Sequence, residues 1–452
     1  MESKLSITSI TETVNESVND DLDSASASKL QAMKAKLKKE KNKEAILDSA
    51  PVVVAPKRAL EMFVVGSGQC GSRIAETFYK LGYPAVAVNT ASQDLAYIDI
   101  PEENKYLLKY GLGGAARDRT IGRDAVLYHR DQLLQFITEK DPGAYLNVLC
   151  ASLGGGSGSG SFQPMIDILA ESGKPLVVIC VLPMGSDDLP AKANALDALA
   201  EIAENIKARK VQNLILVDNS KIETIYSDVN QMDFFRVANE AIVNPIDVIN
   251  TFSMSKSKVK GFDPMEWHKV LLDGGALSTF GEMTVQNYSD DIALAEAVTN
   301  SLNGNLLSDD FDLSEAMYCG VIYAAPSHVW AKIPRRSVTH AQDMIGEILG
   351  STEGLMFGIY EDETLGDEVK IYTMFSGLSL PKKRIDVLRD EVRVKKDALK
   401  AKESGRDRNL TVDVGKHSTQ SAADQIREAI KKKASPTSRL LPGVPGVIDR
   451  RK

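Results

Sequence analysis

The chain is poor in cysteine and has no long apolar run. Its four cysteines, Cys70, Cys150, Cys180 and Cys319, stand far apart with no CxxC pair among them. That spacing excludes a zinc ribbon and a disulfide framework. Three lie in or at the end of strand-like apolar runs, where reduced, buried thiols are expected. No stretch approaches the roughly 18 apolar residues of a membrane-spanning helix. The polar, acidic start MESKLSITSITETVNESVNDD lacks the basic and apolar parts of a secretory signal, so a cytoplasmic chain without a membrane partner is expected. A formal charge of −8 over 452 residues argues against a surface that coats nucleic acid, and no direct nucleic-acid contact is expected. No glycine loop is followed by Lys and then Ser or Thr, which excludes a P-loop.

What is present is an alternation of short apolar strands and helices. Strands are predicted at LEMFVV (60–65), PAVAVNT, YLNVLCASL, PLVVICVLP and NLILVDNS, with helical stretches such as IAETFYKLG and AKANALDALAEIAENIKARK between them. This pattern indicates an α/β fold with a parallel sheet covered on both faces. A helical run, FFRVANEAIVNPIDVINTF, follows Asp233, and Pro245 inside it removes one backbone hydrogen bond and is a candidate kink. Beyond residue 270 the strand-like stretches YCGVIYAAP, LMFGIYEDE and VKIYTMFSGL suggest a smaller domain with a mixed sheet. Residues 382–402 read as one long charged helix.

Two glycine loops carry the chemistry. The first, GSGQCGS at Gly66–Ser72, follows a strand and opens a helix. Its glycines allow a phosphate to approach the backbone, and the helix start supplies free amides. Alone, its G-x-G-x-x-G spacing favours a dinucleotide fold. Such a fold wants Asp or Glu at the end of the second strand, whereas this strand ends at Asn89. It also does not require the second loop, LGGGSGSGS, whose small residues Gly154, Gly155, Gly156, Ser157, Gly158, Ser159 and Gly160 offer a row of amides and two hydroxyls to a polyphosphate. A Rossmann-type oxidoreductase is therefore only a distant alternative.

GGGSGSG resembles the signature of the tubulin and FtsZ superfamily, and GSGQCG and VNTASQDL resemble its first two nucleotide loops. GLGGAARDRTIG (111–122) is similar to the loop that senses the terminal phosphate, and LVDNSKI and FFRVANEAI to the segments around the base. The details are nearest the TubZ branch of plasmid and phage filament proteins. The resemblance implies a tubulin/FtsZ-like GTP-binding domain at 58–232, a central helix at 233–252 and a smaller mixed-sheet α/β activation domain at 253–381. A long helix at 382–402 follows. It leaves residues 1–57 as a flexible extension and 403–452 as a basic flexible tail. It implies GTP or GDP as substrate, with Mg²⁺ held mainly through the phosphates rather than by protein ligands. The implied nucleotide residues are Gly68, Gln69, Cys70, Asn89, Gly113, Gly114, Ala115, Ala116, Arg117, the run Gly154–Gly160, Asp187, Asn219, Phe235 and Asn239. Phe235 would stack on guanine, and amide side chains suit its edge.

GFDPMEWHKVL (261–271) resembles the loop that one subunit inserts into its neighbour's pocket. Asp263 and Glu266 stand at its acidic positions and would orient water against the terminal phosphoryl group. Read without the resemblance, the same two are helix-start acids near a macrodipole. Gly261 departs from the family pattern, and His268 reads as a surface histidine. The implied function is a GTPase that polymerises head to tail and moves plasmid or phage DNA. An FtsZ-like division filament, or another bacterial or phage cytoskeletal filament, is the alternative. The implied partners are further copies of the chain and, through the basic tail, a DNA-binding adaptor.

Overall fold

The computed structural model describes residues 57–288, 292–304, 308, 310–350 and 353–410. The expected N-terminal extension up to residue 56, and the tail from residue 411, lie outside the described residues. In chain order the elements run β1 (Met62–Ser67), α1 (Gly68–Lys80), β2 (Ala85–Asn89), α2 (Ser92–Ala96), β3 (Lys105–Leu107), α3 (Arg119–Tyr128) and α4 (Arg130–Lys140). They continue with β4 (Leu146–Ser152), α5 (Gly156–Ala170), β5 (Leu176–Leu182), α6 (Leu189–Lys207), β6 (Asn213–Asp218), α7 (Asn219–Ile225), α8 (Phe234–Phe252) and α9 (Pro264–His268). The last are β7 (Leu277–Val285), α10 (Ala293–Gly304), β8 (Tyr318–Ala325), α11 (Ser327–Trp330), α12 (Arg335–Leu349), β9 (Leu355–Glu361), β10 (Val369–Leu378) and α13 (Lys382–Leu410).

All ten strands join one sheet in the order β3-β2-β1-β4-β5-β6-β7-β10-β8-β9. The pairs from β3 to β7 are parallel, β7–β10 and β10–β8 are antiparallel, and β8–β9 is parallel again. The α/β fold expected from the strand–helix alternation is thus observed. Every residue of β5, LVVICVL, is buried, as a parallel strand covered on both faces requires. Two apolar clusters fill the two faces. One includes Ile74 and Phe78 of α1 and Ile242, Ile246 and Ile249 of α8. The other includes Phe162 of α5, Ile202 of α6, Ile345 of α12 and Leu388 of α13.

Helix α1 lies directly on β4. A Cβ at Gly71 would stand 2.0 Å from the carbonyl oxygen of Cys150, so only glycine fits there. Helix α8 continues through the buried Pro245 to Phe252. Between β6 and β7 the sheet narrows to two register pairs, Leu214↔Leu277 and Ile215↔Ser278. Buried Asn213 fastens this seam: its Nδ2 donates to Leu271 O at 2.6 Å, and its Oδ1 accepts from Ser278 Oγ at 2.8 Å. The long C-terminal helix runs from Lys382 to Leu410, eight residues beyond the stretch expected from charge pattern.

Candidate nucleotide site

Strand ends and helix starts gather at the C-terminal edge of the parallel strands, where open α/β sheets place their ligands. A cavity of about 240 Å³ lies there. Of the residues anticipated from sequence, Gln69, Cys70, Arg117, Gly154, Gly155, Asp187, Asn219, Phe235 and Asn239 line it. They come from the start of α1, the loop before α3, the β4–α5 loop, the β5–α6 loop, the start of α7 and the first turns of α8.

The two glycine loops touch each other. Gly68 has φ +71°, and a Cβ there would lie 2.9 Å from Gly158 N. Gly156 and Gly160 face the 115–123 segment instead, with Cβ positions 2.8 Å from Ala115 Cβ and 2.2 Å from Arg119 O. These two glycines permit close packing of α5 against the segment leading into α3. Asn89 is buried, and its Nδ2 donates to Asp94 Oδ2 at 3.1 Å. Thr90 binds both neighbouring loops: its carbonyl accepts from Gly114 N at 2.9 Å, and its hydroxyl meets Ser157 Oγ at 2.7 Å. Ser159 Oγ donates to Gly155 O. Asn89, Gly113, Gly114, Ala115, Ala116 and Ser157 do not line this cavity.

The loop before α3 is held in an unusual backbone. Gly113, Gly114, Ala116 and Arg117 all have positive φ, at 88°, 76°, 44° and 65°. Left-handed geometry at the non-glycine Ala116 and Arg117 is unfavourable and persists only where the surroundings enforce it. Arg117 pairs with Asp188, and its carbonyl accepts from Asn194 Nδ2 at 2.8 Å. The same Asn194 Nδ2 donates to Gly154 O at 3.2 Å, so one carboxamide ties this loop to the glycine loop.

At the start of α8, Phe235 is 44% exposed, with the Arg73 guanidinium 5.4 Å from its ring centroid. The Asp187 carboxylate accepts from Met184 N at 2.8 Å and shapes the β5–α6 loop. Burial pushes the Cys70 thiol up to about 12, and the nearby Arg73 only partly offsets it. The thiol is therefore protonated at neutral pH and acts as an apolar wall. Sequence reasoning missed Ser152, Val181, Leu182, Pro183, Ala191, Ala238 and Ile242, which complete the lining. Ala238 and Ile242 had a usable signal, because 235, 238, 239 and 242 share one helix face.

Asp263 and Glu266 lie away from this cavity, at the start of α9. They form a capping box: Asp263 Oδ1 accepts from Met265 N and Glu266 N, both at 2.8 Å, and Glu266 Oε2 accepts from Asp263 N at 2.9 Å. Lys260 Nζ lies 3.6 Å from Glu266 Oε1. His268 Nε2 meets Tyr145 OH at 3.0 Å. A second cleft of about 910 Å³, walled by Trp330, Phe357 and Tyr360 and edged by Lys258, Lys260 and Arg335, contains none of the candidate residues. No helix among the described residues is long and apolar enough to cross a membrane.

Residues 61–227 match the Tubulin/FtsZ family, GTPase domain. The chain is 25% identical over 395 residues to tubulin-like protein TubZ of Bacillus thuringiensis subsp. israelensis, spanning 78% of this chain and 81% of that one. It is 24% identical over 359 residues to tubulin-like protein CetZ of Pyrococcus horikoshii, spanning 76% and 93%. The fold is similar to a GTPγS-form protofilament of Bacillus thuringiensis serovar israelensis TubZ, with a TM-score of 0.68 at 22% identity over 77% of this chain and 96% of that one.

Proposed function

We propose that this chain, whose residues 61–227 match the GTPase domain of the Tubulin/FtsZ family, binds GTP, polymerises head to tail and hydrolyses GTP at a site split between successive subunits, and that its filaments segregate plasmid or phage DNA. The observation that carries this reading is the convergence of six separate segments on one cavity, with an exposed aromatic ring and two amide side chains on its base side. Asn219 and Asn239 would read the guanine edge, and Phe235 would stack on the ring. The glycine loops would hold the phosphates, and Mg²⁺ would bind through those phosphates.

The carboxylates of α9 would complete the neighbour's site. Their position away from the chain's own cavity supports a head-to-tail arrangement, in which a non-closing contact repeats into a filament. Hydrolysis would remove the group that the 113–117 loop contacts and loosen the subunit contact. The DNA-segregation role rests on the similarity to TubZ proteins, one of whose solved structures is described as that of a type III plasmid segregation protein. The adaptor would engage the basic C-terminal tail. The similarity to CetZ, and to cell division protein FtsZ 1 of Thermococcus kodakarensis, at nearly equal identity favours a second reading, an FtsZ-like division filament or another cytoskeletal filament.

Calorimetry with GTP and ATP tests the base assignment, and equal affinities would refute it. Phosphate release per subunit should rise steeply above a threshold protein concentration. A flat specific activity would show a site complete within one chain. A pull-down that recovers a DNA-binding adaptor supports segregation over the second reading, and recovery of division proteins reverses that choice.

A further inference from the structure

The β5–α6 loop, which lines the cavity through Pro183 and Asp187, is gripped from outside by the C-terminal helix. Arg384 Nε donates to Asp218 Oδ2 at 2.5 Å and its Nη2 to Asp218 Oδ1 at 3.2 Å. The same Nη2 reaches Pro183 O and Ser220 Oγ, each at 3.3 Å. Both side chains of this forked pair are nearly dry, at 12% and 5% exposure. Two turns on, Glu391 Oε2 lies 2.8 Å from Lys192 Nζ, which is 1% exposed and donates to Gly185 O at 2.6 Å. One turn further, Lys395 Nζ donates to Asp187 O at 3.0 Å. Residues 384, 391 and 395 share one face of α13. They act, directly or through Lys192, on alternate carbonyls of one loop: 183, 185 and 187.

Arg384 also governs the opposite wall. Asp218 caps α7 by accepting from Ser220 N at 3.0 Å, and between those two residues stands Asn219, which faces the cavity. One guanidinium thus joins the β5–α6 loop to the segment that presents Asn219. A forked, charge-assisted pair fixes geometry more tightly than a single contact.

We propose that α13 belongs to the nucleotide-binding machinery, with Arg384 and Lys395 as positioning residues that hold the Pro183–Asp187 loop and Asn219, and so set the nucleotide's residence time and base preference. This inference rests on the GTP reading of the cavity. It places the control of nucleotide release at the C-terminal helix.

The test uses the full-length chain at concentrations below assembly, with a fluorescent GDP analogue chased by excess GDP in a stopped-flow instrument. Arg384→Gln should speed dissociation by about tenfold, the scale of one lost positioning hydrogen bond, and should narrow the GTP-over-ATP preference. Arg384→Lys keeps one charged contact to Asp218 without the fork and should recover part of both. Lys395→Ala touches only the Asp187 carbonyl and should speed release while leaving base preference intact; it carries the test if Arg384→Gln does not fold. A lowered melting temperature with unchanged dissociation and unchanged base preference would overturn the proposal and leave α13 a structural brace. A wild-type chain that fails to bind the analogue would overturn the GTP reading itself.

Discussion

The indole nitrogen of Trp267 donates to the carboxamide oxygen of Asn250 at 3.1 Å, with both residues fully buried. That oxygen also accepts from Leu60 N at 2.8 Å, while Asn250 Nδ2 donates to Leu60 O at 2.9 Å and reaches Tyr83 OH at 3.1 Å. All four hydrogen-bonding positions of one amide are filled. The central helix α8, the short helix α9 and the chain leading into β1 are therefore fastened at a single side chain. Replacing Asn250 with Leu strands the Trp267 N–H and both Leu60 backbone groups in a dry core. Urea unfolding should show a loss of about 2–5 kcal/mol. A loss under about 1 kcal/mol would mean that water replaces the amide.

Glu266 has two separable tasks, capping α9 and, in the proposed mechanism, orienting the attacking water in the neighbouring pocket. Glutamine retains the capping-box acceptor and removes the charge. Glu266→Gln should leave thermal stability and GTP binding near wild type, slow phosphate release by roughly 100-fold and give longer-lived filaments. Glu266→Ala should show the same slow turnover plus a loss of about 0.5–2 kcal/mol of stability. Normal turnover in the Gln variant would leave Glu266 as a cap alone. Stability is read by melting, turnover and assembly by phosphate release and pelleting in one sample.

Two glycines of the site should respond in opposite ways to alanine. At Gly71 the new methyl meets the Cys150 carbonyl at 2.0 Å, and backbone cannot yield cheaply. Gly71→Ala should therefore fold poorly or melt far below wild type, as overpacking against main chain costs about 1–3 kcal/mol or more. At Gly155 the nearest atom is Ser152 Oγ at 3.4 Å, and the residue lines the cavity. Gly155→Ala should fold normally and weaken nucleotide binding. Calorimetry together with circular dichroism distinguishes the two outcomes.

Alkaline pH should unfold the protein through its thiols. Burial raises Cys70 to about 12 and lifts Cys150, Cys180 and Cys319 above the ordinary value of 9.0. Groups raised in the folded state stabilise it fully below the unfolded value, and that contribution is lost as pH climbs. Stability measured in urea should be insensitive to these thiols below pH 8. It should fall above pH 9 by about 1.4 kcal/mol per unit for each thiol that must stay protonated. Cys319→Ala should make that fall shallower, and an unchanged slope would exclude this thiol from the effect.

The parallel sheet and the placing of the glycine loops were legible because each glycine run sits between an apolar strand and a helix, where a linker has no place. Gln69, Asn219, Phe235 and Asn239 followed from their loops and line the cavity. Val181, Leu182 and Pro183 were hidden because a strand's last residues read as core whether they face a cavity or another side chain. Arg384 was hidden for a different reason. It lies 166 positions from Asp218, on a helix whose charge pattern reads as solvated, and only tertiary packing buries it. The carboxylates at 263 and 266 read either as helix-start acids or, through the resemblance, as half of a shared site, and the structure shows their capping geometry directly.

The seam between β6 and β7 has a mechanical consequence. Six register pairs join β5 to β6 and nine join β7 to β10, but only two cross between them. The sheet is thus two stiff plates joined by a narrow flexure. Torque between the two parts would strain that narrow pairing first, where Asn213 adds two buried side-chain hydrogen bonds. Helix α8 packs against α1 on one side of this joint and against β7 and β10 on the other, so the resistance of the fold to bending there would be set by a helix and one carboxamide more than by the ten-stranded sheet.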